Sequence, residues 1–208
     1  SAIPDVFVEK KDDGYSASTN KDWIPRLRIS QKYLKMLDDP LTPQETKNWI
    51  KEKLNSARNV MRSLAQRDST IKRIADVIID EQFDFFHRGM EFLKPLTMQK
   101  VAEKLGIHET TVSRAIAGKY MQTPKGLFEF KFFFSTGYTS ENGEEMSSKS
   151  VMEKINEMIE DENPEHPLSD KEISDILKKE GLNVARRTVA KYREALGIQS
   201  SHLRRQHS

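Results

Sequence analysis

Apolar positions recur at the helical period over much of the chain. Ile50, Leu54, Ala57, Met61 and Leu64 fall on one stripe, and Ile71, Ile74, Ala75, Ile78, Phe85 and Phe86 on a second. Thr42 and Pro43 open the first as N-cap and first-turn residue, and Asp68 or Ser69 caps the second, which ends near Gly89. The pattern predicts two long helices, 43–66 and 68–89, paired antiparallel so that each covers the other's stripe. Ahead of them, Val6-Phe7-Val8 and Leu27-Arg28-Ile29 are short extended signals, and Gln31 to Leu37 reads as a short helix.

From Leu96 to Ile116 the period shortens to two compact pieces with a glycine between. Ala102 is small enough for two helices to cross closely, Gly106 four residues later supplies a tight turn, and Val112 packs the second helix back. This is helix-turn-helix spacing over 97–118, although a plain helical hairpin with a glycine turn shares it. Thr110, Thr111, Ser113 and Arg114 then face outward near the start of the second helix, with Lys119 just past its end. They suit phosphates or base edges, and equally solvent. The aromatic run Phe128, Phe130, Phe132, Phe133 and Phe134 cannot continue a surface helix and reads as a buried connector.

Residues 135–150 are rich in Ser, Gly, Thr and Glu, a composition too poor in apolar surface to order itself, which predicts a flexible linker. Past it, Val151, Ile155, Met158 and Ile159 mark an amphipathic helix stopped by Asn163-Pro164. Ser169 and Glu172 have capping-box spacing and open a helix that runs to Gly181. After Leu182-Asn183-Val184 comes a last helix on which Ala185, Val189, Tyr192 and Leu196 form the buried stripe, leaving Arg186, Arg187, Lys191 and Arg193 outside. The Ser200 to Ser208 tail, with Arg204 and Arg205, is read as either touching phosphate or disordered. The fold class is mainly α: a helical domain over 1–134 containing a helix-turn-helix, the linker at 135–150, and a small three-helix helix-turn-helix domain over 151–208.

Charge sharpens the picture only when divided by segment. The chain holds 34 Lys and Arg against 32 Asp and Glu, a net charge of +2. Glu141 to Glu165 carries nine acids and two lysines, whereas Leu168 to the end carries nine basic residues and five acids. Basic charge therefore collects where the last motif lies. A helix N-terminus directed into the major groove sets arginine forks near guanine O6 and N7, so Arg186 and Arg187 are the candidates for base contact, and Lys191 and Arg193 for the phosphate backbone. Cysteine is absent, which excludes disulfides, thiolate metal sites and cysteine catalysis and fits a reducing cytoplasm. No apolar run has membrane-spanning length. The five histidines lack metal-ligand spacing, so neither a metal nor another cofactor is expected.

The segment Ala185-Arg186-Arg187-Thr188-Val189-Ala190-Lys191-Tyr192-Arg193-Glu194 resembles, at every position, the ten-residue signature box of the sigma-54 (sigma-N) family of bacterial transcription initiation factors. The resemblance extends through Pro25-Arg26-Leu27-Arg28-Ile29-Ser30, Phe85-Phe86, Leu93-Lys94-Pro95-Leu96 and His108-Glu109-Thr110-Thr111-Val112-Ser113-Arg114, and covers essentially the whole chain. It implies that residues 1–134 bind core RNA polymerase and that 151–208 read the GG-containing minus-24 promoter element through box 185–194. Arg186, Arg187, Thr188, Lys191 and Arg193 take that role. Thr110, Thr111, Ser113, Arg114 and Lys119 are carried over to the minus-12 element. The family's glutamine- and leucine-rich regulatory region, which answers to an ATP-hydrolysing activator, has no counterpart here. The chain is therefore expected to be a fragment that binds double-stranded promoter DNA and polymerase core without a full response to that activator.

No enzyme activity is expected. A recombinase or transposase would need an inward-facing carboxylate set, and the linker acids are consecutive solvent-facing charges; chelator-sensitive strand cleavage would reveal one. A conventional repressor would bind DNA and ignore polymerase core, which co-sedimentation separates.

Overall fold

The computed structural model describes residues 2–21 and 28–205. Leu27 of the second extended signal, and the Pro25-Arg26-Leu27 part of the resemblance, lie outside them. The protein is mainly helical, with two hydrophobic cores.

The first core is larger and includes a sheet that the mainly helical expectation omits. Strands β1 (Val6–Lys11) and β2 (Gly14–Thr19) form an antiparallel hairpin, and β3 (Tyr120–Thr123) and β4 (Gly126–Glu129) another. β1 and β3 run parallel, giving the order β2-β1-β3-β4. Asp5 holds this long-range pairing: its carboxylate accepts from the Tyr120 N–H and the Lys119 ammonium, each at 2.9 Å. The aromatic run is not a plain connector. Phe128 lies in β4, and Phe130 to Phe133 wind into a 3₁₀ turn that buries Phe130 and Phe133 in the first core, Phe133 against Phe85 and Phe86.

Helix α1 (Gln31–Asp38) forms where the sequence predicts it. The two long helices do not: α2 is one helix from Gln44–Glu81, 38 residues and about 57 Å at 1.5 Å per residue. Neither Gly nor Pro interrupts residues 64–71, and Asp and Ser inside a helix cost only a fraction of a kcal/mol each. Asp68 caps nothing; its carboxylate accepts from the Thr19 hydroxyl at 2.9 Å. Pro43, not Thr42, occupies the N-cap position. A single helix removes the antiparallel partner, so the stripes have different fates. Ile71, Ile74, Ala75 and Ile78 enter the first core, while of the first stripe Ile50 is buried, Leu54 and Leu64 are half-buried, and Ala57 and Met61 stay exposed. α3 (Phe83–Arg88) follows, and the buried Gln82 between them clasps Lys94 by donating to its carbonyl (2.8 Å) and accepting from its N–H (2.9 Å).

Helices α4 (Met98–Leu105) and α5 (Glu109–Ile116) pack on α2 through Val101, Ala102, Val112 and Ile116. The second core joins α6 (Ser148–Glu160), α7 (Asp170–Lys179) and α8 (Arg186–Ala195) through Val151, Ile155, Ile173, Leu177, Leu182, Val184 and Val189. Between the cores, where composition predicts a flexible linker over 135–150, stands a β-hairpin, β5 (Gly137–Thr139) with β6 (Glu145–Ser147), running directly into α6. Its order comes from backbone pairing and from flanking residues. Ser135 and Leu96 exchange N–H to carbonyl bonds (3.1 and 3.2 Å), and the Ser147 N–H donates to Leu93 at 3.0 Å. Short α9 (Ser201–Arg204) ends the described chain.

Candidate nucleic-acid interface

The α4–α5 pair owes its angle to three local devices. The Thr97 hydroxyl caps α4 by accepting from the Lys100 N–H at 3.1 Å. Gly106 then takes a left-handed conformation (φ 64°, ψ 36°), which a side chain would strain. His108 caps α5, its Nδ1 accepting from the Thr110 N–H at 3.2 Å and lying 2.8 Å from the Thr110 hydroxyl. The Arg73 guanidinium of α2 donates to the Leu105 carbonyl at 3.0 Å, and Glu81 receives the ammonium groups of both Lys100, at 2.7 Å, and Lys104. Burial pushes the Glu81 carboxyl up, but the hydrogen bonds and charges of the two lysines outweigh it and hold the group below its usual range.

Of the residues marked at this pair, Thr110, Thr111, Ser113 and Arg114 are exposed. Thr110 is already engaged with His108. Lys119 is only partly exposed and is tied to Asp5, so it belongs as much to the sheet as to a surface. Thr111, Arg114 and Lys119 face Arg67 and Asp68 of α2 across a cleft of about 550 Å³.

In the second core, the capping box on α7 forms as the sequence predicts. The Glu172 N–H donates to the Ser169 hydroxyl (3.2 Å), and the Ser169 N–H to the Glu172 carboxylate (2.7 Å). Hydrogen bonding by Ser169 holds the Glu172 carboxyl below its usual value. The chain turns at Gly181 (φ 84°), and the Ser174 hydroxyl donates to the Val184 carbonyl at 2.6 Å, fixing the approach to α8. Ala185 is the N-cap and offers no side-chain acceptor, so the Arg186 and Arg187 N–H groups that open α8 gain no side-chain cap, and that turn holds both arginines and no acid. Arg186, Arg187 and Lys191 are exposed and, among the described residues, form no ion pair; Thr188 is half-buried.

Arg193 corrects the expectation of an exposed backbone contact. It is 6% exposed, its Nε and one terminal nitrogen donate to the Asp170 carboxylate at 2.7 and 3.2 Å, and the other donates to the Ile198 carbonyl at 2.7 Å. The Asp170 hydrogen bond raises its already high pKa, so the charge is fixed. The buried stripe of α8 is accordingly rotated: Val189 and Arg193 are buried, Tyr192 and Leu196 half-buried, and Ala185 exposed. Tyr192 reaches the hairpin, its hydroxyl 2.8 Å from that of Tyr138. Burial, then the Tyr138 hydrogen bond, pushes its pKa up. Within the tail, as far as Arg205, two arginines are tied back to the loop before α7, while His202 and Leu203 are exposed. Arg204 forks onto Glu162 (2.7 and 2.8 Å), and the Arg205 Nε donates to the Glu165 carbonyl. Asp170, Tyr138 and Glu162 carry no local sequence signal for these roles, because each partner lies 23 to 54 residues away.

Two helix pairs, each ending in an outward helix that exposes basic and hydroxyl side chains, stand on two cores in one mainly helical chain. Residues 47–206 match the family model described as "Sigma-54, DNA binding domain", and residues 1–33 that described as "Sigma-54 factor, core binding domain". The chain belongs to the sigma-54 family. The two matched models meet between residues 33 and 47, so α2 from residue 47 onward falls within the matched DNA-binding model.

Similar proteins include the RNA polymerase sigma-54 factor of Acinetobacter guillouiae, 42% identical over 199 residues, or 96% of this chain and 41% of that one. That of Escherichia coli strain K12 is 39% identical over 204 residues, 98% of this chain and 43% of that one. The chain thus spans about two fifths of the length of these relatives. The structure described as "Crystal structure of Aquifex aeolicus sigmaN bound to promoter DNA" matches with a TM-score of 0.64 at 34% identity, covering 99% of this chain and 61% of that one.

Proposed function

We propose that the chain is the promoter-reading part of a sigma-54-type transcription initiation factor. Its two helix pairs act as helix-turn-helix units, α8 reading the GG minus-24 element and α5 lying at the minus-12 element, while its N-terminal part contributes to binding polymerase core. The carrying observation is the start of α8: an uncapped helix N-terminus, free of acids, with Arg186 and Arg187 exposed on it. Such an end attracts a phosphate through its N–H groups and leaves an arginine fork free for a guanine edge. Lys191, one turn on and exposed, suits the backbone. Thr188, half-buried beside them, supplies a hydroxyl at the edge of the same surface. Arg193 is withdrawn from the contact set. Thr111, Ser113 and Arg114 are the better-placed residues for the minus-12 element, since Thr110 is occupied by His108 and Lys119 by Asp5.

The similar Aquifex aeolicus protein is described as bound to promoter DNA, which agrees with this reading. The role is one of binding, without catalysis. In the whole protein, an ATP-dependent activator is the expected third partner. No helix among the described residues is long and apolar enough to cross a membrane.

Fluorescence anisotropy at fixed salt tests the reading. Substituting one base pair of GG should weaken the chain by about 1–3 kcal/mol, and Arg186→Ala or Arg187→Ala should abolish that discrimination at one position. Equal loss on every duplex, steepening with salt, would instead make both arginines phosphate clamps. Co-sedimentation with polymerase core tests the second partner: binding is expected, and its absence would leave a repressor-like DNA binder.

A further inference from the structure

We infer that the β5–β6 hairpin is a rigid ruler that sets the spacing at which the two helix pairs engage DNA, with Gly137 and Tyr138 as its positioning residues. The inference rests on the reading that both pairs contact one duplex. Unlike a tether, the hairpin is fastened at both ends. On the first core, Gly137 lies so close to Pro95 that an added Cβ would stand 2.0 Å from the proline Cγ and 2.5 Å from the Met146 carbonyl oxygen. No side chain fits there unless β5 shifts away from both Pro95 and its partner strand β6.

Buried Ser150 places its hydroxyl 2.7 Å from the Leu93 carbonyl and 3.2 Å from that of Met90, and the Ser147 N–H holds Leu93 again. The Lys149 ammonium donates to the Phe132 carbonyl and sits 3.8 Å from the centre of that ring. On the second core, Tyr138 meets Tyr192 of α8, and the Glu141 N–H donates to the Gly181 carbonyl at 3.1 Å, in the turn that leads to α8. The same short hairpin therefore touches the segment just before α4 and the recognition helix α8.

A rigid connection makes the two binding events one only when the DNA presents both elements at the matching distance and rotation; elsewhere the gain in effective concentration is lost. One inserted base pair moves an element by ~3.4 Å and turns it by ~34°. A loose strap would absorb that, and a strut cannot.

The test measures the affinity of wild type, Gly137→Ala and Tyr138→Phe for duplexes in which the spacing between the GG and minus-12 elements is native, one base pair shorter or one longer. Wild type should lose about tenfold on either shift, the scale of one mismatched base pair. Gly137→Ala should bind the native spacing more weakly and lose less than about threefold on the shifts, with Tyr138→Phe between them. A duplex carrying GG alone separates the two claims. If the variants keep the GG preference and show the same spacing penalty as wild type, or if wild type shows no penalty, the ruler is overturned while promoter reading stands. If wild type shows no GG preference, both fall. Should Gly137→Ala fail to fold, the cysteine-free chain allows spin labels at Glu103→Cys and Lys178→Cys alone. A single narrow distance in the free protein is expected, and a broad distribution would overturn the ruler.

Discussion

Arg193 differs from Arg186, Arg187 and Lys191 in what its charge faces. Three of these side chains look into solvent, while Arg193 is enclosed by Asp170 and the Ile198 carbonyl and fastens α8 to α7. A buried fork of this kind is costly to break, because the partner is left charged without compensation. Arg193→Ala should destabilise the C-terminal unit by about 3–5 kcal/mol in urea unfolding, with Asp170→Ala strongly non-additive to it in a double-mutant cycle. Additive effects would mean that the pair is not the clasp. The helical period alone left Arg193 open: at 100° per residue it stands ~40° from Val189 and Tyr192 ~60° on the other side, so both lie on the inner arc. Polarity argued for placing Arg193 outside, and only a partner 23 residues earlier reverses that.

At the scale of elements, local signals were legible wherever the partner was also local. The capping box at Ser169, the glycine turn at Gly106, the span of α1 and the apolar stripe of α6 follow from neighbours within a few residues. The sheet and the hairpin were not legible, because each depends on distant pairing: Val6 with Met121, and Ser147 with Leu93. The continuity of α2 was missed for a local reason: Asp68 and Ser69 resemble caps, yet nothing from residue 64 to 71 breaks a helix. α2 shows what continuity is for. One end carries the first core, and Glu81 near that end clamps α4 through Lys100 and Lys104. The Glu81 carboxyl titrates lower in the folded protein than in the unfolded chain, so its contribution is fully present above the unfolded value near ~4.3 and is lost as pH falls through the lower folded one. The stability difference between wild type and Glu81→Gln in urea unfolding should stay level from neutral pH to about 5 and shrink below it. A difference that stays level through ~pH 3 would show that the lysines do not act through the carboxylate's charge.

For the whole molecule, the division of charge matters more than its sum. A net charge of +2 would give little attraction to DNA, yet acids crowd the hairpin and α6 while α8 presents its basic residues on an uncapped end. On the proposed reading, the acidic stretch repels phosphate from the connection and the basic end attracts it. The family resemblance implies a reading head at residues 185–194, and within that segment the structure buries Arg193 against Asp170 while leaving Arg186, Arg187 and Lys191 exposed. The most direct measurement replaces each guanine of GG in turn by 7-deazaguanine, which deletes the N7 acceptor alone, and compares wild type with Arg186→Ala and Arg187→Ala. An arginine that forks onto a guanine should make wild type lose about 1–3 kcal/mol at that base, while its own alanine variant loses nothing further there. If wild type and both variants bind the substituted and natural duplexes in the same ratio, neither arginine reads the element, and α8 is not the reading head.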